Sequence, residues 1–260
     1  IHMTFGTALH EVLQHYLDVM YKTSGAEADR INIEELFEET LRECYAKDYK
    51  KNKGKHFSTP EEIREFFDDG IAILQNFKKK KGGYFSKKGW HLVGCEVPIV
   101  IAPNMRINRV KYMGYLDIVM YHEPTNTFKI IDIKTSTKGW GSYAKKDESK
   151  QFQLVLYKYF FSKQYNIPIE SIDIEFFIVR RKVYLDGEYP QKRIQTFTPA
   201  SGKNKVNKAT KNLDDFLNKS FNLDGTYKDT IFNANPSKWN CSFCPYKENT
   251  ELCSAVGKNF

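Results

Sequence analysis

The stretch from Tyr115 to Ser136 constrains this chain more than any other, because it alternates with a period of two on both sides of a polar turn at Pro124–Asn126. In the first run Tyr115, Asp117 and Val119 share one face. In the second, Phe128, Ile130, Asp132 and Lys134 share a face, while Lys129, Ile131 and Ile133 take the other. An acid and a lysine on a mostly apolar face cost free energy unless they are paired or hold a metal. Two readings stand at this point. One is a hairpin whose Asp132 and Lys134 meet in a salt bridge at its wet end; the other is an ion-binding active site.

Elsewhere the chain supports a folded protein of ordinary size. Its 260 residues suffice for one substantial core, and 41% hydrophobic against 28% charged residues is a globular balance rather than a disordered one. No apolar run approaches the length of a membrane span, and no stretch has the pattern of a signal peptide. The helical pattern begins almost at the first residue and His2-Met3 resembles an expression scar, so a segment upstream is expected. Forty basic residues against 32 acidic ones leave a formal charge of +8, which suits a polyanionic partner. The excess gathers at Lys78–Lys81, Lys87-Lys88, Lys145-Lys146, Arg180–Lys182 and Lys203–Lys211. Each cluster taken alone reads first as a solvated surface.

The periodicity predicts a helix over Phe5–Lys22 with Leu9, Val12, Leu13, Tyr16 and Met20 as its apolar stripe. A loop over Gly25–Arg30 and a charged helix over Asn32–Lys51 follow. Thr59-Pro60-Glu61-Glu62 predicts a capping box and a helix running to about Lys80, halted by Gly82-Gly83. Strands are expected at His91–Ile101, Met105–Val110, Tyr112–Tyr121 and Thr127–Thr135. A helix over Glu148–Gln164 should pack Phe152, Leu156, Tyr159 and Phe160 on the sheet. Further strands are expected at Ile172–Val179 and Lys192–Thr198, joined by a turn at Asp186-Gly187, and a short helix at Asn212–Leu217. This order predicts an α/β fold, a central mixed β-sheet flanked by helices. We expect a single domain over 1–260, with a helical lobe over about 25–82 and a cysteine-containing tail over 236–260.

Asp117 and Asp132 lie on neighbouring strands and can face one another, where a hard divalent cation would relieve their repulsion. Lys134 projects from the same face as Asp132. Two carboxylates and a lysine are what phosphodiester hydrolysis needs: an ion to activate water and polarise phosphate, and a cation to stabilise charge on its oxygens. Asp117, fourteen intervening residues, then Asp132-Ile133-Lys134, resembles the core motif of the PD-(D/E)XK nucleases, most closely their RecB-like and Cas4-like branch. That branch places a Gly-Thr-x-x-His-Glu helix first, matched by Gly6-Thr7-Ala8-Leu9-His10-Glu11. It follows the lysine strand with Gln-x-x-x-Tyr, matched by Gln153 and Tyr157. The usual Pro-Asp is absent, Tyr115-Leu116 standing before Asp117.

The resemblance implies a restriction-endonuclease-like core. It implies Asp117, Asp132, the Ile133 backbone carbonyl and His10 as metal ligands, with Glu96 as a further carboxylate, and Lys134, Gln153 and Tyr157 in the catalytic set. Without it, His10 reads equally as a structural histidine, and Gln153 and Tyr157 as a polar helix end and a core tyrosine.

Cys241, Cys244 and Cys253 are spaced C-x2-C-x8-C, a chelating pattern for zinc or an iron–sulfur cluster. In the Cas4-like and AddB-like nucleases three such cysteines and one upstream cysteine hold a [4Fe–4S] cluster. This chain shows no upstream cysteine, and zinc or free thiols are the alternatives. Cys44 and Cys95 read as small core residues.

The function expected is a Mg2+- or Mn2+-dependent deoxyribonuclease, an exonuclease or DNA-end-processing enzyme of recombination, replication or phage DNA metabolism. It would act on single strands or duplex ends in the cytoplasm, or in a host cytoplasm if phage-encoded, with a helicase or recombination partner and no membrane. The alternatives are a structure-specific or single-strand endonuclease, a nucleic-acid-binding module with an inactive site, and a hydrolase of small phosphate esters.

Overall fold

Helix α1 (His2–Lys22) buries every residue of its expected stripe, together with Phe5, Ala8 and Leu17. These coordinates are a computed structural model that describes residues 1–104, 106–184, 191–229, 235–242, 244–249 and 251–253. The expected loop after α1 is instead a short helix, α2 (Gly25–Arg30): Ser24 accepts a hydrogen bond from the Glu27 N–H, and Ala28 is fully buried. Helix α3 (Ile33–Lys51) starts on Asn32 and turns Phe37, Leu41 and Cys44 inward. Helix α4 (Pro60–Lys80) starts on the expected capping box, with Thr59 and Glu62 satisfying each other's backbone N–H groups. At Gly70 an added Cβ would lie 2.2 Å from the Phe37 ring, so α3 and α4 approach through the missing side chain.

The sheet is mixed and follows the order β1-β2-β3-β4-β5. Strands β1 (Trp90–Ile101), β2 (Tyr112–His122) and β3 (Thr127–Ser136) form an antiparallel meander. After β3 come α5 (Ser142–Lys146) and α6 (Glu148–Tyr165), the crossover that lets β4 (Ile172–Arg180) pair parallel to β3. Strand β5 (Ile194–Phe197) returns antiparallel beside β4. Ile118, Met120, Ile131, Ile133, Phe177 and Val179 join the core built by α1, α3 and α4. Phe128 meets Phe161 of α6 on the opposite face of the sheet. Each such fully buried apolar side chain contributes about 1.5–3 kcal/mol.

Three expectations are corrected. Helix α6 buries Leu154, Val155, Tyr157, Lys158, Phe160 and Phe161, whereas Phe152, Leu156 and Tyr159 are only half-buried. Apolar residues occur all round this helix, so periodicity could not choose its inward face. No strand forms at Met105–Val110 among the described residues: the Asn104 side chain accepts from the Arg106 N–H, and Arg109 is left-handed with φ 63°. The short helix at Asn212–Leu217 is the end of a long one, α7 (Lys203–Ser220), which begins within the lysine-rich segment. The Asp186-Gly187 turn lies outside the described residues, as does Met105.

Two compact units are distinguished, one of Ile1–Pro103 with Lys111–Asn212 and one of Asn104–Val110 with Leu213–Phe260. In the second, Asn108 donates its N–H to the Leu223 carbonyl at 2.9 Å, Phe221 bridges to Tyr227, and the short helix α8 (Lys238–Ser242) carries Cys241. No helix of the described residues is long and apolar enough to cross a membrane.

Candidate active site

The β2–β3 ladder stops at the pair Ile118–Ile131, and one step beyond it stand Asp117 and Asp132. There the strands part, and the Asp117 carboxylate fills the gap by accepting the Ile133 N–H at 2.6 Å. A side chain thus satisfies a backbone donor that the ladder has released. On the other side of β2, the pairs Cys95–Ile118 and Val97–Leu116 bracket Glu96, which lies opposite Asp117. Glu96, Asp117 and Asp132 therefore form a row across three neighbouring strands. Glu96 is left-handed at φ 51°, a conformation that costs a non-glycine residue on the order of 1 kcal/mol. It marks a turn-over in the hairpin. Ile118 and Met120 face the helical core, yet Gly114 and Tyr112 of the same alternate set meet Tyr157 and Phe160 of α6.

Two helices complete the surroundings. From α1, His10 Nδ1 reaches within 3.8 Å of Asp117 Oδ2, and Gly6 brings the helix against β3, where an added Cβ would sit 3.1 Å from Thr135 Oγ1. Gln14, one turn beyond His10, is buried and donates to Glu96 Oε1 at 2.7 Å and to the Asp117 carbonyl at 3.0 Å. The sequence reading passed over Gln14. The signal for it was available: a polar residue four after His10 on a stripe that is otherwise apolar. From α6, Gln153 accepts from Lys134 Nζ at 3.2 Å and donates to the Tyr157 hydroxyl at 3.2 Å. Tyr157 lies against Gly114, where a Cβ would come within 2.7 Å of its ring.

Lys134 Nζ stands 2.9 Å from Asp132 Oδ2, so the salt bridge of the first reading does form. It is not at a wet end, since the Asp132 side chain is 4% exposed. The ammonium is the charged partner of this buried oxygen and opposes the effect of its burial. Burial pushes both carboxyls up to about 6. At Asp117 the Ile133 N–H and Lys134 oppose that push and Glu96 adds to it; at Asp132 Lys134 opposes it and Asp117 adds to it. Burial pushes His10 down, against the attraction of Asp132, which keeps its ring neutral at neutral pH.

Among the described residues no three His, Cys, Asp or Glu side chains converge as a ready-made metal cage. What the site offers instead is two adjacent buried carboxylates, one of them paired to Lys134, and an imidazole whose burial disfavours its charged form. That set suits a hard cation which completes its shell with water and phosphate oxygens, the habit of Mg2+. Glu96 is less free, because Gln14 occupies one of its oxygens. Cys241, Cys244 and Cys253 are unpaired thiols, each half-buried, and do not gather into a metal-holding group.

Comparison with known proteins agrees with the geometry. The chain matches the family model described as the PD-(D/E)XK nuclease superfamily over residues 2–249. No curated protein matches it. A match over nearly the whole length, on a mixed sheet flanked by helices, makes the restriction-endonuclease-like fold plain, and the chain belongs to the PD-(D/E)XK nuclease superfamily.

Proposed function

We propose that this chain is a Mg2+- or Mn2+-dependent deoxyribonuclease that hydrolyses phosphodiester bonds at DNA ends. One observation carries the reading: Asp117 and Asp132 are buried side by side, with Lys134 as the one ammonium that opposes the burial of both. Asp117, Asp132, the Ile133 carbonyl and His10 would hold the ion, with Glu96 bearing on it from the end of the row. A bound ion supplies a Lewis acid for the phosphate and a water of lowered pKa.

The remaining work falls to the chain's own groups. Lys134, oriented by Gln153, presents an ammonium where negative charge gathers on the phosphate oxygens. Tyr157 holds Gln153 in turn. Gln14 fixes Glu96 and the backbone of Asp117 relative to each other. The products would be a 5′-phosphate and a 3′-hydroxyl, released by a single nuclease domain.

The test is cleavage of labelled single- and double-stranded DNA, linear and circular, in Mg2+, Mn2+ or EDTA. Asp117→Asn should abolish cutting of linear substrates, Lys134→Ala should slow it by about 10²–10³-fold, and EDTA should silence the wild type. Unchanged cleavage by both variants would sink the site assignment. Cutting of closed circles would remove the end-dependent reading.

A further inference from the structure

We infer that Tyr143 on α5 is a base-stacking platform that holds an unpaired DNA strand at the candidate site, and that the enzyme therefore prefers single-stranded DNA. The inference rests on the nuclease reading above. It starts from Tyr143 itself, which is 87% exposed, more than any other aromatic side chain among the described residues. An aromatic ring left in water forgoes the burial that normally recruits it.

The scaffold under this ring is built and held. Trp140 packs on Phe176, ring centroids 4.8 Å apart, and Phe176 is the β4 register partner of Asp132. The Gln195 side chain clamps the Trp140 backbone from both sides, accepting from its N–H and donating to its carbonyl, each at 3.0 Å. Gln151 of α6 donates to the Lys145 carbonyl at the end of α5. Lys134, Trp140, α5 and the first turns of α6, including Gln153, are thus joined at one end of β3. α5 therefore lies at the start of the helix whose Gln153 reaches Lys134.

The charges around Tyr143 point the same way. Five of the clustered cations are held by acids: Arg181 and Lys182 by Glu65 and Asp69, Lys205 and Lys208 by Glu148, Lys81 by Asp29. Lys138, Lys145 and Lys146 have no carboxylate partner among the described residues. Lys145 lies over the Phe197 ring, and lysines near an exposed aromatic in the chain are the elements of single-strand binding, in which cations track phosphates and the ring stacks on a base. A duplex hides its base faces, so the ring selects strands whose bases are open.

The experiment separates this inference from the nuclease reading by measuring binding in an inert background. Asp117→Asn protein is titrated with fluorescent single-stranded, blunt duplex and single-stranded RNA oligonucleotides in Ca2+, with and without Tyr143→Ala or Tyr143→Phe. Tyr143→Ala should weaken single-stranded DNA binding by about tenfold, and Tyr143→Phe, which keeps the stacking face, by less than about twofold. Duplex binding should scarcely move. In the active protein Tyr143→Ala should raise KM for single strands and leave kcat within about twofold.

Equal single-strand binding with and without Tyr143 would overturn the inference, even if the wild type cleaves DNA. Tighter binding of duplex or RNA than of single-stranded DNA would overturn the preference. Tyr143-dependent binding in a protein that cleaves nothing would uphold the platform and defeat the nuclease reading. Unchanged melting temperatures keep a folding defect from mimicking the result.

Discussion

Two charge clusters in the first unit are built from similar residues and come out opposite. Between α4 and the end of β4, Arg181 pairs with Glu65 and Asp69 at 2.9 and 2.7 Å, and Lys182 with the same acids at 2.7 and 2.8 Å. The guanidinium also lies over the Phe66 ring at 4.1 Å. Each acid meets two cations, and Glu65 is held below the ordinary carboxylate range by hydrogen bonds from Lys182 and Arg181. At the candidate site two buried acids share one lysine, and burial pushes both carboxyls up to about 6. The first cluster sets two cations against two acids and holds α4 to the end of β4, although the buried Arg181 Nε has no hydrogen-bond partner. The second sets two buried carboxyls against a single lysine.

That contrast can be broken in graded ways. Lys134→Ala, which removes the ammonium beside Asp132, should lower the single-turnover cleavage rate by about 10²–10³-fold. In the paired cluster, Arg181→Ala should cost on the order of 2 kcal/mol in urea unfolding, because Asp69 is 15% exposed and loses one of its two partners. Its cleavage rate should stay within about twofold. A large catalytic loss without a stability loss would dissolve the distinction.

Asp132→Asn should do the reverse of Arg181→Ala. In EDTA at neutral pH it should raise the melting temperature, since it replaces a carboxylate whose charged form the fold disfavours, while cleavage disappears. The gain is on the order of 1–2 kcal/mol. Its pH dependence follows from the raised values of Asp117 and Asp132. A carboxyl above its unfolded value stabilises the fold when protonated. That stabilisation is fully present below about pH 4 and is lost as pH rises through about 6. The advantage of Asp132→Asn over wild type should therefore shrink from about pH 7.5 to pH 5. An advantage that grew on acidification would refute the direction of the shift. The smallest effect belongs to Gln14→Ala, which frees Glu96 and should weaken Mg2+ activation by about tenfold without changing the maximal rate at saturating metal.

The cysteine tail sharpens the same point from another side. Its C-x2-C-x8-C spacing was as conspicuous as the Asp–Lys pattern, yet the three thiols are not drawn into one group. Spacing makes chelation feasible, but a site also needs neighbours that remove water and force like charges together. At Asp117 and Asp132 the parting of β2 and β3 does this. The corrections elsewhere have equally local causes. Helix α7 was hidden because lysines fill its first turns, although Val206, Ala209 and Leu217 supply a buried face. Ser24 makes a helix of a stretch rich in turn formers.

By itself the sequence determined the period-two strands that carry Asp117, Asp132 and Lys134, the apolar stripe of α1 that aims His10, and the capping box of α4. Each follows from spacing along a single element, and such regularities are written in neighbouring residues. Only the tertiary structure decided what those elements meet. It aligned Glu96 with Asp117 across a left-handed residue, brought Gln14 from a distant helix to hold them, and chose which face of α6 is buried. It also paired Arg181, Lys182, Lys205 and Lys208 with acids far off in the chain and set Lys145 over the Phe197 ring. These outcomes depend on strand register and on desolvation by residues far apart in the chain, which no local pattern encodes.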